Sequence, residues 1–378
     1  MSQIEAQSNK RQGVTEEVRK LHQESIVIDL HVDPIIQQFL FDYDVRQEHN
    51  LSWKPKKRRL IFQLIKMCSG FGWLHRPFFN HIDLPRMLRG GYTFGAFGIH
   101  YWPVQSEKGW QAIKKQMDYF KEVVEQDDRI IFAKGPEQIR QAFREGKLAG
   151  FLGVEGAHCL GEGGQETMKI RLDRVEELFE TYGVRYLTLA HFSKNDAATP
   201  CMGRGSNDHD GLTDFGKELI RKMNEVGMII DVAHVNNQGV LDACKVSKRP
   251  VMVSHTGLAG INPHRRNIRD EALKAVAETG GIVGIMFAMN FLSNRRENPT
   301  SEVILNHIDH IVNLVGEEHA AIGSDFDGWI PRIPEDMQDA ADLPLLTQRM
   351  VDRGYDSSRV KKILGDNFLR VWREILTA

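Results

Sequence analysis

Eight short apolar runs recur along this chain, and seven of them finish on or beside a histidine or a carboxylate. The runs are 25–31 (SIVIDLH), 92–100 (YTFGAFGIH), 148–156 (LAGFLGVEG), 184–191 (VRYLTLAH), 228–235 (MIIDVAHV), 250–257 (PVMVSHTG), 281–288 (GIVGIMFA) and 320–328 (AAIGSDFDG). Each has the length and β-branched content of a buried strand. The polar residues at their C-terminal ends are His31 with Asp33, His100, Glu155, His191, His234, His255, and Asp325 with Asp327. From the second run onward, strands alternate with helical patterns at 106–127, 136–146, 166–182, 213–226, 237–247, 269–279, 302–316 and 358–376. Such alternation predicts a parallel sheet with helices outside it. Eight repeats favour a closed (β/α)8 TIM barrel over an open doubly wound sheet. A barrel of this kind keeps its catalytic residues at the C-terminal ends of the strands.

The length, 378 residues, is ordinary for one such barrel with insertions. A formal net charge of −2 gives no field that would attract nucleic acid. No run of about 18 apolar residues occurs, so no transmembrane segment is expected. Residues 1–18 lack the apolar core of a signal peptide, which points to a cytoplasmic protein. Cys68, Cys159, Cys201 and Cys244 match no zinc-knuckle spacing and are too sparse for a disulfide scaffold. No GxGxxG follows the first strand and no GxxxxGK[ST] occurs, so dinucleotide and P-loop readings have no support.

Residues 1–24 read as a tail and a leading helix, with the helix at 13–24, and 25–378 as a single barrel domain. Segment 35–91 reads as an insertion after the first strand. It carries a basic cluster (Lys54, Lys56, Lys57, Arg58, Arg59) followed by an apolar, aromatic stretch. An active-site cap, a dimer contact and a membrane-surface patch all fit it; so does a packed insertion with a solvated basic rim. Segment 196–211 reads as a loop over the top of the barrel.

His31 and Asp33 lie two apart on an extended strand, so they point the same way and can meet one ion. Glu155 closes a strongly apolar strand and needs a partner to offset its desolvation. With two oxygens, it can bridge two cations. His234 and His255 end adjacent strands, and neutral imidazoles suit zinc or a similar transition metal. Any one of these histidines fits a core role; together, at strand ends, they fit a metal site better. Five donors exceed what one catalytic tetrahedral zinc takes while keeping a position open. Two ions sharing Glu155 and a bridging water suit them better. His158 reads as a supporting or core histidine, and no role is assigned to His100.

These residues and their surroundings resemble the membrane (renal) dipeptidase family, the M19 zinc metallopeptidases. The resemblance rests on VIDLHVDP (27–34), GVEGAH (153–158), GVRYLTLAHFSKN (183–195) and GLTDFGKELIRKMNEVGMIIDVAHV (211–235). It continues through PVMVSHTG (250–257), RRN (265–267), IGSDFDGWIPRIPEDM (322–337) and ILGDNFLRVWREI (363–375). It implies a (β/α)8 barrel with two Zn2+, other divalent metals being acceptable. His31 and Asp33 would hold one ion, His234 and His255 the other, with Glu155 between them. It further implies that His191 stabilises the tetrahedral intermediate and that Arg266 grips the substrate's terminal carboxylate. Asp325 would assist the attacking water and the leaving amine. The substrate would be a dipeptide or small amide, and the assembly a homodimer.

Three positions depart from the family pattern. Val32 stands where Asn is usual, 192–203 replaces an Asn-rich, Trp-containing stretch, and Met286 occupies an expected Asn position in 284–291. The leading expectation is a zinc dipeptidase acting on short peptides with a free C-terminus. A specialised amide hydrolase of the same fold, acting on a modified peptide or biosynthetic intermediate, is the alternative. A barrel that has lost catalysis and only binds is the third reading.

Overall fold

A computed structural model describes residues 13–49, 53, 55, 58, 60, 79–101, 107–293, 299–330 and 332–377. The strands are β1 (Ile28–Val32), β2 (Phe94–Ile99), β3 (Ile130–Phe132), β4 (Leu148–Val154), β5 (Val184–Thr188), β6 (Ile229–Asp231), β7 (Val251–Thr256), β8 (Ile282–Ile285) and β9 (Ala320–Ile322). All eight apolar runs therefore form strands. They pair in parallel in the order β1-β2-β4-β5-β6-β7-β8-β9. The ends meet through a bridge between Val32 and Phe326. Two backbone bonds run with it: Asp33 N–H to Phe326 O at 2.9 Å, and Asp325 N–H to His31 O at 3.0 Å. The result is a nearly closed (β/α)8 barrel.

The strand that the sequence reading lacks is β3. It runs beside Leu148–Gly150 of β4, off the barrel path. At three residues it is too short to show a period. The helices at 106–127, 136–146, 166–182, 213–226, 237–247, 269–279 and 302–316 appear within one or two residues of those ranges. Helix Pro34–Phe41 was not expected, because Pro34 reads equally as the end of a strand or the first turn of a helix. The C-terminal helical region is interrupted by a π-turn at Lys362–Asp366, where Gly365 packs so close to the Ile26 carbonyl that a Cβ would overlap it.

Alternate strand residues divide the core in two. Ile28, Phe94, Phe151, Ile229, Met252 and Ile282 share one cluster with Phe368, Leu369 and Trp372 of helix Asn367–Thr377. Their neighbours Phe97, Ile230, Val253, Val283 and Ile322 belong to the layer under the surrounding helices. Helix Asn367–Thr377 thus closes the N-terminal end of the barrel. The Trp372 ring lies 5.1 Å from Phe151 and 6.2 Å from Phe94, centroid to centroid.

Helix Glu16–Gln23 precedes β1. Its His22 is buried, with ring nitrogens 2.7 Å from Thr347 Oγ1 and 2.9 Å from the Gly90 carbonyl. Lys54, Lys56, Lys57, Arg59 and 61–78 lie outside the described residues. On either side of them, buried Arg86 ties the chain together by donating to Asp83 Oδ2 at 2.8 Å and to Tyr43 Oη at 2.7 Å. No helix among the described residues is long and apolar enough to cross a membrane.

Candidate active site

The strand ends converge on Glu155, which follows β4. Its Oε1 lies 2.9 Å from His234 Nε2, 3.5 Å from His255 Nε2 and 3.8 Å from His31 Nε2. Its Oε2 lies 3.3 Å from His100 Nδ1 and 3.4 Å from His191 Nε2. His31 Nε2 is 3.3 Å from Asp33 Oδ1 and 3.9 Å from Asp325 Oδ1. All of these side chains are buried, Asp325 being the most open at 9%. Arg266, also buried, donates from Nη2 to the His255 carbonyl at 3.0 Å.

Space for this cluster comes from glycine. A Cβ at Gly98 on β2 would overlap Asp33 Oδ1 and crowd the His31 ring. A Cβ at Gly153 on β4 would overlap the Tyr186 ring, and Tyr186 Oη is the 2.5 Å partner of His31 Nδ1. The backbone is strained where the donors sit. His234 (φ 63°) and Asp325 (φ 62°) both occupy the left-handed region, which side chains other than glycine's seldom adopt.

A second layer orients the donors. His255 Nδ1 is 2.9 Å from Ser254 Oγ, which donates to Asp231 Oδ2 at 2.7 Å. Thr188 Oγ1 donates to the same oxygen at 2.6 Å. Asp29 Oδ1 accepts from Ser324 N–H at 2.8 Å and His31 N–H at 3.2 Å. With Nδ1 of His31 and of His255 engaged outward, each Nε2 faces the centre.

Several features mark a cation site. His234 Nε2 and His255 Nε2 approach to 2.9 Å. His31 Nε2 and Asp33 Oδ1 are buried without a hydrogen-bond partner. Four overlapping sets have donor atoms within 4.8 Å of one another: His31, Glu155, His255; Glu155, His191, His234; His31, Asp33, Asp325; and Asp33, His100, Glu155. The residues present therefore fit metal binding.

The electrostatics agree. Burial, aided by the Arg266 guanidinium, holds His234 down at about 4. Burial also holds His255 and His191 well below the usual histidine range. These rings are neutral. Burial opposes charge on His31 too, but Asp33 and Glu155 outweigh it and push the ring up to about 10. Burial pulls Glu155 up, yet the charge on His31 and the hydrogen bonds of His100 and His234 hold it well below the carboxylate range. Burial raises Asp325 well above that range, with Asp33 and Glu155 adding to it against His31.

His31, Asp33, Glu155, His191, His234, His255 and Asp325 are all brought together, and Arg266 packs directly behind His255. The sequence reading placed His100 at the end of its strand, as the others end theirs, but assigned it no role. The register Gly98–Gly153 and Ile99–Val154 sets it beside Glu155. His158 supports the segment after β5, its Nε2 lying 3.0 Å from both the carbonyl and the Oγ of Ser193. The following loop reaches over the site: Cys201 N–H donates to the His234 carbonyl at 2.7 Å.

Residues 15–378 match the model of a family described as membrane dipeptidase, peptidase family M19. The dipeptidase tcpJ of Claviceps purpurea is 32% identical over 311 residues, covering 78% of this chain and 69% of that protein. The solved structure of dipeptidase AC, a metallopeptidase of family M19, is similar with a TM-score of 0.74 and 24% identity, over 94% of this chain and 99% of that one. The probable dipeptidase PvdM from Pseudomonas aeruginosa gives a TM-score of 0.77 and 17% identity, over 95% and 98% of the two chains.

Proposed function

The chain belongs to the membrane dipeptidase family M19, which makes it a metal-dependent peptidase, and on that premise we propose a two-zinc dipeptidase acting on short peptides with a free C-terminus. The observation that supports this reading most is the convergence on Glu155. Its Oε1 faces His31, His234 and His255, its Oε2 faces His100 and His191, and Asp33 joins it in one compact donor group. His234, His255 and Glu155 would hold one ion; His31, Asp33 and Glu155 would hold the other. Imidazole nitrogen with carboxylate oxygen is a donor set suited to zinc. When bound, such ions supply Lewis acidity and make water acidic enough to ionise near neutral pH.

The chain's own residues account for the remaining steps. Arg266 presents a planar guanidinium that pairs two-pronged with a carboxylate. Gripping the substrate's C-terminus, it fixes the distance to the scissile amide and excludes long chains. His191, neutral and beside Glu155, donates to the oxygen that becomes negative in the tetrahedral intermediate. Asp325, close to His31 and Asp33, accepts the proton of the attacking water and delivers it to the leaving amine.

One observation favours a narrower amide hydrolase of the same fold. β8 is the barrel strand whose end brings no ionisable group; it is followed by buried Met286 and Phe287. Amino-acid release from L,L- and L,D-dipeptides, by protein loaded with two equivalents of zinc, decides between the two. Broad turnover, lost when the C-terminus is amidated, is the expected result. No turnover on any dipeptide with both metals bound would move the assignment to the narrower hydrolase.

A further inference from the structure

β2 ends at Ile99, and the next residue, His100, has no part in the reading above. Gly98 and His100 lie on the same face of the strand by alternation. Gly98 abuts Asp33 and His31, so His100 is one step higher on that wall. Its Nδ1 is 3.3 Å from Glu155 Oε2, and Asp33, His100 and Glu155 form one of the compact donor groups.

The 3.3 Å spacing is informative. Two donors each about 2.0–2.1 Å from a tetrahedral zinc are about 3.4 Å apart. His31 and Asp33 show the same separation, 3.3 Å. Glu155 is also ringed unequally. Three imidazoles face Oε1, whereas Oε2 has two, of which His191 points to where substrate would lie.

We propose that His100 is an additional protein donor, through Nδ1, to the ion held by Asp33 and Glu155. This rests on the two-ion reading and extends it. The two ions then differ: the His234–His255 ion keeps open positions for water and substrate, and the Asp33 ion is more fully enclosed by protein. The enclosed ion would be retained more tightly and serve chiefly to fix Glu155 and the shared water.

The test uses the full chain loaded with cobalt(II), whose ligating imidazoles give strongly shifted, solvent-exchangeable ring N–H signals in proton NMR. His100→Gln should still take up two equivalents at high metal. It should show one shifted imidazole signal fewer than the wild type and bind one of the two ions at least tenfold more weakly. His100→Cys is the second variant. A thiolate at this position has nearly the reach of Nδ1, because the longer metal–sulfur bond, about 2.3 Å, compensates for the shorter side chain. It should add a sulfur-to-cobalt charge-transfer band. An unchanged signal count in His100→Gln, or no such band in His100→Cys should the first variant fail to fold, overturns the proposal and leaves His100 as a hydrogen-bond partner of Glu155. Uptake of fewer than two equivalents by the wild type is a separate failure; it removes the two-ion reading and this assignment with it.

Discussion

The two ends of this barrel interior are built on opposite rules. At the N-terminal end, Phe94, Phe151, Phe368 and Trp372 stack and interlock, closed by a helix. At the C-terminal end, five histidines and three carboxylates crowd together, two of them on left-handed backbone. Buried charge of that density is costly unless a partner offsets it. The aromatic end supplies stability, and the polar end spends some of it to hold donors apart and aimed.

If the division is real, damage to each end should be separable. The largest effect is expected from Glu155→Gln, which should lower kcat/KM for dipeptides by at least ~10^3-fold and release metal while the chain still folds. Retained metal and activity would break the comparison at the polar end. Next is Trp372→Ala. Loss of a fully buried indole should cost about 3–5 kcal/mol in denaturant unfolding, with metal stoichiometry unchanged at low temperature. Metal loss without loss of stability would show that the ends are not independent.

Arg266→Lys is smaller and sharpens the polar end. It exchanges a two-pronged contact for a point charge, so kcat/KM should fall about 10–100-fold, mostly through KM, with metal content intact. The smallest effect concerns imidazoles outside the site. Burial holds His22 and His307 down at about 4, where a backbone carbonyl partners each. Their folded pKa lies below the unfolded 6.5, so the unfolded chain binds more protons between those values. Stability from them is complete above pH 6.5 and is lost as pH falls toward 4. At pH 5.5 each should cost about 1 kcal/mol relative to pH 8. His22→Gln should remove part of that dependence in pH-resolved melting.

The polar end was the more legible of the two in sequence. A histidine or carboxylate closing an apolar run is a local signal, and it gave every residue named for the site except Arg266, which only the family resemblance supplied. What stayed hidden depends on register. That His100 faces Glu155 follows from Gly98 pairing with Gly153, a contact 55 residues away along the chain that no single run reveals. The aromatic end was hidden for a related reason. Residues 358–376 read as one more helix, and nothing local says that Phe368 and Trp372 stop the barrel instead of lining its side. Pro34 shows a third kind of limit, because the same residue terminates strands and starts helices.

The join between β1 and the segment after β9 has a consequence in time. Ser324 N–H reaches Asp29 across 295 positions, and the bonds around it set His31, Asp33 and Asp325 in place. Contacts this remote close a very long loop, which is slow to find even though its entropy grows only gently with length. His234, His255 and Glu155 need no such closure. During refolding, one half of the pocket can take shape while the other still waits for its first and last strands to meet.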